Sequence, residues 1–255
     1  MAAIGRLVRK FVRRQLAKRG KEIVSATAKN GPPLPVFRVL IEHCATRHGK
    51  GAILQIGAND GLMDDPIHQS IVSLRLPALL VEPLPDIFER LKANYRGMPN
   101  VRFENAAIST MTVEADIYRI NPASRDFPSW VHGLASFDKQ VLLKHANLEG
   151  VRGKDFQGQI QTIRVPVLTV EQLLQRHRDI GPLLALQVDT EGHDFRVIQS
   201  AVQAGCLPPI IHFEHRHLTL QDQEACQELL TAHGYTFLTM KDDTLAYRCD
   251  ASPIP

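Results

Sequence analysis

Leu54 to Gly61 reads LQIGANDG: an apolar run breaks into two glycines four residues apart, with an amide and a carboxylate between them. Ala52 and Ile53 extend the run to AILQI, the composition of a short buried strand. Ligands of open α/β sheets bind outside the carboxyl ends of the strands, where the strand order reverses, so a glycine turn at the end of a first strand marks a candidate site. Gly57 and Gly61 allow a sharp turn without a Cβ in the way. A helix predicted over residues 62–74 would point its free N–H groups at an anionic group of the ligand.

Strands and helices alternate outward from that turn. Gly31-Pro32-Pro33 and Pro35 precede a helical spacing over 36–47, and His48-Gly49-Lys50-Gly51 hands the chain to AILQI. The strand ALLVE (78–82), a helix over 86–95 and the strand VRFE (101–104) follow. Residues 121–161 then read as an irregular, polar insertion with Pro122, Pro128, the single tryptophan Trp130, and four glycines, the kind of long loop that is more often functional than filler. Beyond it come IRVPVL and a helix with Thr169 as N-cap, LLALQVD ending at Asp189, and a helix over 195–204. PIIHFE ending at Glu214, a helix over 221–233 and the antiparallel pair YTFLT and TLAYR close the pattern. These spacings predict an α/β, doubly wound domain on seven core strands, mostly parallel with an antiparallel C-terminal strand, plus an N-terminal helical extension.

Charge is unevenly spread. The net charge of +3 conceals a first 21 residues with eight Lys or Arg and no acid, leaving 22 basic against 27 acidic residues beyond. Ile4, Leu7, Val8, Phe11, Val12 and Leu16 lie at helical spacing among those cations, which suits a membrane-surface helix, a presequence or an arm packed on the domain. Peripheral membrane contact through residues 1–21 is therefore one open reading. An acidic remainder with 6% aromatic residues argues against a nucleic-acid partner. Cys44, Cys206, Cys226 and Cys249 form no C-x-x-C pair, which speaks against a zinc framework and for a reducing, cytoplasmic setting.

The turn discriminates among ligands. A dinucleotide fingerprint requires G-x-G-x-x-G, but Asn59 stands at the second glycine, and the P-loop pattern is absent. A nucleoside-type ligand without a pyrophosphate remains, and S-adenosylmethionine fits. Glu82, at the end of the second strand, can accept both hydroxyls of a ribose, and Asn105 with Ala106 ends the third strand where an adenine would lie.

IGANDG, VEPLPDIFERLKANY, FENAAIS and LQVDTEGHDFRVIQS, in that order, resemble the FkbM-type methyltransferases over about residues 51–214. The resemblance implies a seven-strand Rossmann-like fold, with residues 1–30 a basic arm and 31–255 the methyltransferase domain. It also implies S-adenosylmethionine as cofactor and O-methylation of a sugar, glycan or secondary metabolite. Gly57, Ala58, Asn59, Gly61, Glu82, Asn105 and Ala106 would then hold the cofactor. Gln55 stands where members of the family often have Asp, which leaves an inactive binding or assembly protein on the same scaffold as the alternative.

Methyl transfer to oxygen requires alignment and the removal of one proton. Asp189 and Glu191, at the end of the fourth main strand, are the expected catalytic carboxylates, with His193 as a further candidate base. Trp130, His132 and Ser136 of the insertion, and Glu214 at the end of PIIHFE, are the expected acceptor-binding residues. Imidazole with carboxylate also suits a divalent metal, but H-x-x-H in a strand is not the i, i+4 helical pair of zinc motifs, so no metal ligand is assigned.

Overall fold

The computed structural model describes residues 36–49 and 51–248. The expected basic arm lies outside them. In chain order the elements are α1 (Val36–His48), β1 (Ala52–Ile56), α2 (His68–Leu74), β2 (Ala78–Val81), α3 (Pro85–Asn94), β3 (Val101–Glu104), β4 (Ala107–Ile108), β5 (Val113–Ile120) and β6 (Ala135–Ser136). They continue with α4 (Lys139–Lys144), β7 (Ile160–Leu168), α5 (Val170–Arg176), β8 (Leu183–Val188), α6 (Asp194–Gln203), β9 (Ile210–Glu214), α7 (Leu220–Ala232), β10 (Thr236–Thr239) and β11 (Asp243–Tyr247).

The main sheet has seven strands in the order β10-β11-β9-β8-β1-β2-β3. The pairs β1–β2, β2–β3, β1–β8 and β8–β9 are parallel, whereas β11 runs antiparallel to both β9 and β10. Every residue of β1 and β8 is buried, because helices cover both faces of the sheet. Alternate residues serve the two layers: Leu54, Ile56, Leu186 and Val188 pack towards α5, α6 and α7, while Ile53 and Ala185 pack with Ile41 of α1 and Ile71 of α2. The chain winds outward from β1 to β3 and then returns to β8 on the other side of β1. That reversal puts the ends of β1 and β8 side by side, with Ile56 in register with Val188.

Three sequence expectations change. The helix expected from residue 62 begins at His68, because Asp60 accepts the N–H groups of Leu62 and Met63 (3.0 and 2.9 Å) and Asp65 those of Ile67 and His68. These side chains take the donors that a first helical turn would leave free. The strand IRVPVL is β7, but it belongs to a second sheet of order β4-β7-β5-β6. Its partner β5, VEADIYRI, was not expected, although Ala115, Ile117 and Arg119 alternate along one face in the period of a strand.

The insertion is consequently the elaborated tip of a long β5–β7 hairpin rather than a loose loop. It carries its own core of Ile120, Phe127, Val131, Leu134, Leu142, Val151 and Phe156, and Asp138 caps α4. Thr169 caps α5 as expected, in a full capping box with Gln172. Among the described residues no helix is long and apolar enough to cross a membrane.

Arg119 fastens the hairpin to the main sheet. Its guanidinium, 2% exposed, makes a bidentate pair with Asp86 in the first turn of α3 and also donates to the carbonyl of His132 (3.3 Å). Asp86→Ala leaves the buried guanidinium without its acid; because Asp86 itself is partly exposed, denaturant unfolding is expected to show a loss of about 1–2 kcal/mol, between the values of exposed and buried pairs.

Candidate active site

β1 ends at Ile56 and the chain enters the turn through Gly57, whose φ of +81° lies in the left-handed region. A Cβ there would sit 1.7 Å from the carbonyl oxygen of Asp189, so no side chain fits. The close approach that glycine permits is thus made by the end of β8. The N–H groups of Gly57 and Ala58 both donate to the carbonyl of Val81 (3.0 and 2.9 Å), which ties the turn to the end of β2. Gly61 lies against Leu91 and Tyr95, behind the turn.

Glu82 is held where the strand ends converge. Its carboxylate accepts the N–H of Asn59 (3.0 Å) on one oxygen and that of Leu84 (2.9 Å) on the other. Each oxygen retains a lone pair for a further donor. Burial pushes this carboxyl from its ordinary 4.5 up to about 7, against the pull of the two N–H groups and of Arg119. Asn105 donates to the carbonyls of Glu82 and Pro83 (2.7 and 3.1 Å), so its amide shapes this corner rather than facing a ligand.

A cavity of about 440 Å³ opens over these strand ends, roofed by the hairpin tip. One end is lined by Gly57, Ala58, Asn59, Glu82 and Ala106, and the other by Asp189, Glu191, Glu214, His145 and His217. Trp130 and Ser136 line the roof. Gly133 packs directly on the Asn59 amide, where a Cβ would come within 2.4 Å of it. The Ser136 hydroxyl donates to the carbonyl of Glu191 (2.7 Å), which holds Glu191 in a left-handed conformation (φ 50°). Gln55 lies on the cavity wall and hydrogen-bonds to the carboxylate of Asp65, so an acid is present beside it.

Four expected site residues stand off this lining: Gly61, Asn105, His132 and His193. His193 bonds through Nε2 to the Ser109 hydroxyl (2.9 Å) and packs on Phe137, with ring centroids 4.3 Å apart. Burial pulls its imidazole down to about 4. His132 contributes its backbone carbonyl to Arg119. In contrast, His145 and His217 line the cavity: His217 belongs to the HFEHRH segment, whose imidazoles with Asp189 and Glu191 suit a divalent metal, whereas His145 carries no such signal in the sequence. His145 lies in the insertion, far in sequence from the D-T-E-G run, and only the folded hairpin brings it near.

The far end is rich in acid. Asp189 opens into the cavity yet is enclosed by protein, which raises it to about 6 with help from Asp243 and Asp65. Burial and then the neighbouring carboxylates raise Glu191 to about 8 and Glu214 to about 9. Asp194, behind them and bonded to Thr190 (3.0 Å), is pushed up to about 7 by burial and Asp189. Burial also lowers His217 to about 4.

Residues 55–237 match the methyltransferase FkbM domain, and the chain belongs to that family. Family and fold together support S-adenosylmethionine-dependent methyl transfer. No curated protein matches the sequence. Among solved structures, the chain is similar to the Methanococcus jannaschii fibrillarin pre-rRNA processing protein (11% identity, TM-score 0.39), covering 78% of this chain and 66% of that one. It is also similar to a precorrin-6y C5,15-methyltransferase from Geobacter metallireducens (11%, TM-score 0.41), with 88% and 92% covered. A third, an O-methyltransferase from Bacillus cereus in complex with SAH, shares 10% identity at a TM-score of 0.43, with 88% and 84% covered.

The raised Glu82 carboxyl predicts a pH dependence. Its folded value exceeds its ordinary one, so the folded state binds the extra proton: the stabilisation is full below pH 4.5 and is lost as pH rises through 7. Asp189, Glu191 and Asp194 act in the same direction. His193, His212 and His217, lowered to about 4, act in the opposite direction below about pH 6.5 in wild type and variant alike, so the Glu82 contribution shows as a difference: relative to Glu82→Gln, the melting temperature of the ligand-free wild type is expected to fall between about pH 5 and pH 7.

Proposed function

We propose that the protein transfers the methyl group of S-adenosylmethionine to a hydroxyl oxygen of a small-molecule or glycan acceptor, such as a sugar or secondary metabolite. The observation that carries this reading is the single cavity that has Glu82 at one end and Asp189 with Glu191 at the other. Glu82 accepts the ribose hydroxyls while Gly57, Ala58, Asn59 and Ala106 shape the nucleoside end; Gly61 and Asn105 support them from behind. The sulfonium then points towards Asp189.

The acceptor oxygen attacks the methyl carbon, the carbon–sulfur bond breaks with its electron pair going to sulfur, and the acceptor's proton passes to a carboxylate. Asp189 takes that proton: raised to about 6, it is ionised near neutrality and still basic. Glu191 and Glu214 position the acceptor, and Trp130 and Ser136 form the wall against it. His193, turned to Ser109, orders the turn rather than removing the proton. Residues 31–255 form the catalytic domain in this reading, and the scattered cysteines favour a cytoplasmic setting. The alternative of an inactive binding protein drew on Gln55, but Asp65 supplies a carboxylate at the same wall.

Titration calorimetry with S-adenosylmethionine, and in parallel with NAD, tests the cofactor assignment. Binding of the first alone is expected, weakened at least about tenfold in Glu82→Ala, the worth of a hydrogen bond to a charged group. For chemistry, Asp189→Asn is expected to keep cofactor affinity and to lose about 10²-fold or more in turnover of any acceptor found by transfer of labelled methyl. A methyl group recovered on nitrogen or carbon would contradict O-methylation.

A further inference from the structure

We infer that His145, Glu191, His217 and Glu214 form a binding site for one divalent transition-metal cation. The four residues come from separate parts of the fold: the end of α4 in the hairpin tip, the turn after β8, the end of β9 and the loop beyond it. His217 Nε2 lies 3.3 Å from Glu191 Oε2 and 3.9 Å from Glu214 Oε2, and His145 Nε2 lies 3.8 Å from the same Glu191 oxygen. The ligand atoms of His145, Glu191 and His217 all fall within 4.8 Å of one another.

These separations exceed those of good hydrogen bonds and suit ligands around a common ion. An ion bound at about 2.0–2.2 Å from each donor places neighbouring donors roughly 3–3.5 Å apart, and slightly more before the ion draws them in. The side chains are withdrawn from solvent, with His145 at 7% and His217 at 4% exposure and Glu191 and Glu214 at 19% and 15%. Oε2 of Glu191 and Oε2 of Glu214 are buried with no hydrogen-bond donor. Buried carboxylate oxygens without a donor are costly, and a cation aimed at by two imidazoles satisfies them both.

The backbone is arranged for the same purpose. Glu191 holds its left-handed conformation through Ser136, and Gly192 packs so closely that a Cβ would touch Val141 and His217 at 3.2 and 3.4 Å. Strain of this kind persists where surrounding contacts over-determine the geometry.

The donor set selects the metal class. Two imidazole nitrogens with two carboxylates suit Mn²⁺, Fe²⁺, Co²⁺ or Zn²⁺, whereas Mg²⁺ and Ca²⁺ prefer oxygen donors alone. His145, Glu191 and His217 bring their donor atoms together, Glu214 stands beside His217, and all four residues line the cavity, so a cation held there would be within reach of the acceptor. The cation would there bind the acceptor hydroxyl and lower its pKa, easing transfer of the proton to Asp189. That role rests on the methyltransferase reading proposed above; the binding of the metal does not.

The full-length protein, stripped with chelator, is titrated calorimetrically with MnCl₂ and separately with S-adenosylmethionine. One equivalent of Mn²⁺ is expected to bind to the wild type, with affinity falling roughly 100-fold or more in His145→Ala and His217→Ala while S-adenosylmethionine affinity is retained. CoCl₂ added to the wild type gives a second readout that needs no variant: the visible bands of an imidazole-ligated ion are expected. Absence of both Mn²⁺ binding and Co²⁺ bands, or Mn²⁺ affinity undiminished in both variants, overturns the site. Metal binding without S-adenosylmethionine binding would overturn the methyltransferase reading alone.

Discussion

At the switch point of the sheet, the carbonyl oxygen of Asp189 occupies the place where any residue other than glycine would have a Cβ at position 57. Because the ends of β1 and β8 close on each other there, the turn after β1 is drawn down onto Val81 and the N–H of Asn59 reaches Glu82. The positions of Glu82 and Asp189 are therefore set by one contact. A side chain at 57 would part β1 from β8 and move both ends of the cavity.

The hairpin tip closes that cavity and gives it its chemistry. Arg119 fastens the tip to α3, Gly133 lets it rest on Asn59, and Ser136 ties it to Glu191. The fold thus brings His145 across to a group of acids that the main sheet alone supplies. Glu191 and Glu214 are withdrawn from water and those acids repel one another, which is why their carboxyls lie well above the usual range. Such a concentration of buried carboxyls weakens the fold above neutral pH, and a positively charged ligand relieves it.

The main sheet was legible because its strands are continuous apolar runs and its helices begin at recognisable caps, as Thr169 does. The placement of Gly57, Glu82 and Asp189 at the cavity was legible because each directly follows a strand. The second sheet was less so: β5 carries Glu114, Asp116 and Arg119 among its apolar residues, and its partner lies 40 to 54 positions away, from Ile120↔Ile160 to Val113↔Val167. Helix α2 starts late because Asp60 and Asp65 compete for the backbone donors, which a periodicity reading overlooks. His145 could not be placed from sequence, since nothing in its neighbourhood shows that the hairpin folds back over the strand ends.

A cofactor lying across the ends of β1, β2 and β8 is tested most directly by a crystal structure of the protein with S-adenosylhomocysteine. The ribose hydroxyls are expected on the Glu82 carboxylate, with the sulfur directed towards Asp189. A ribose bound away from Glu82, or a nucleoside outside this cavity, would contradict it.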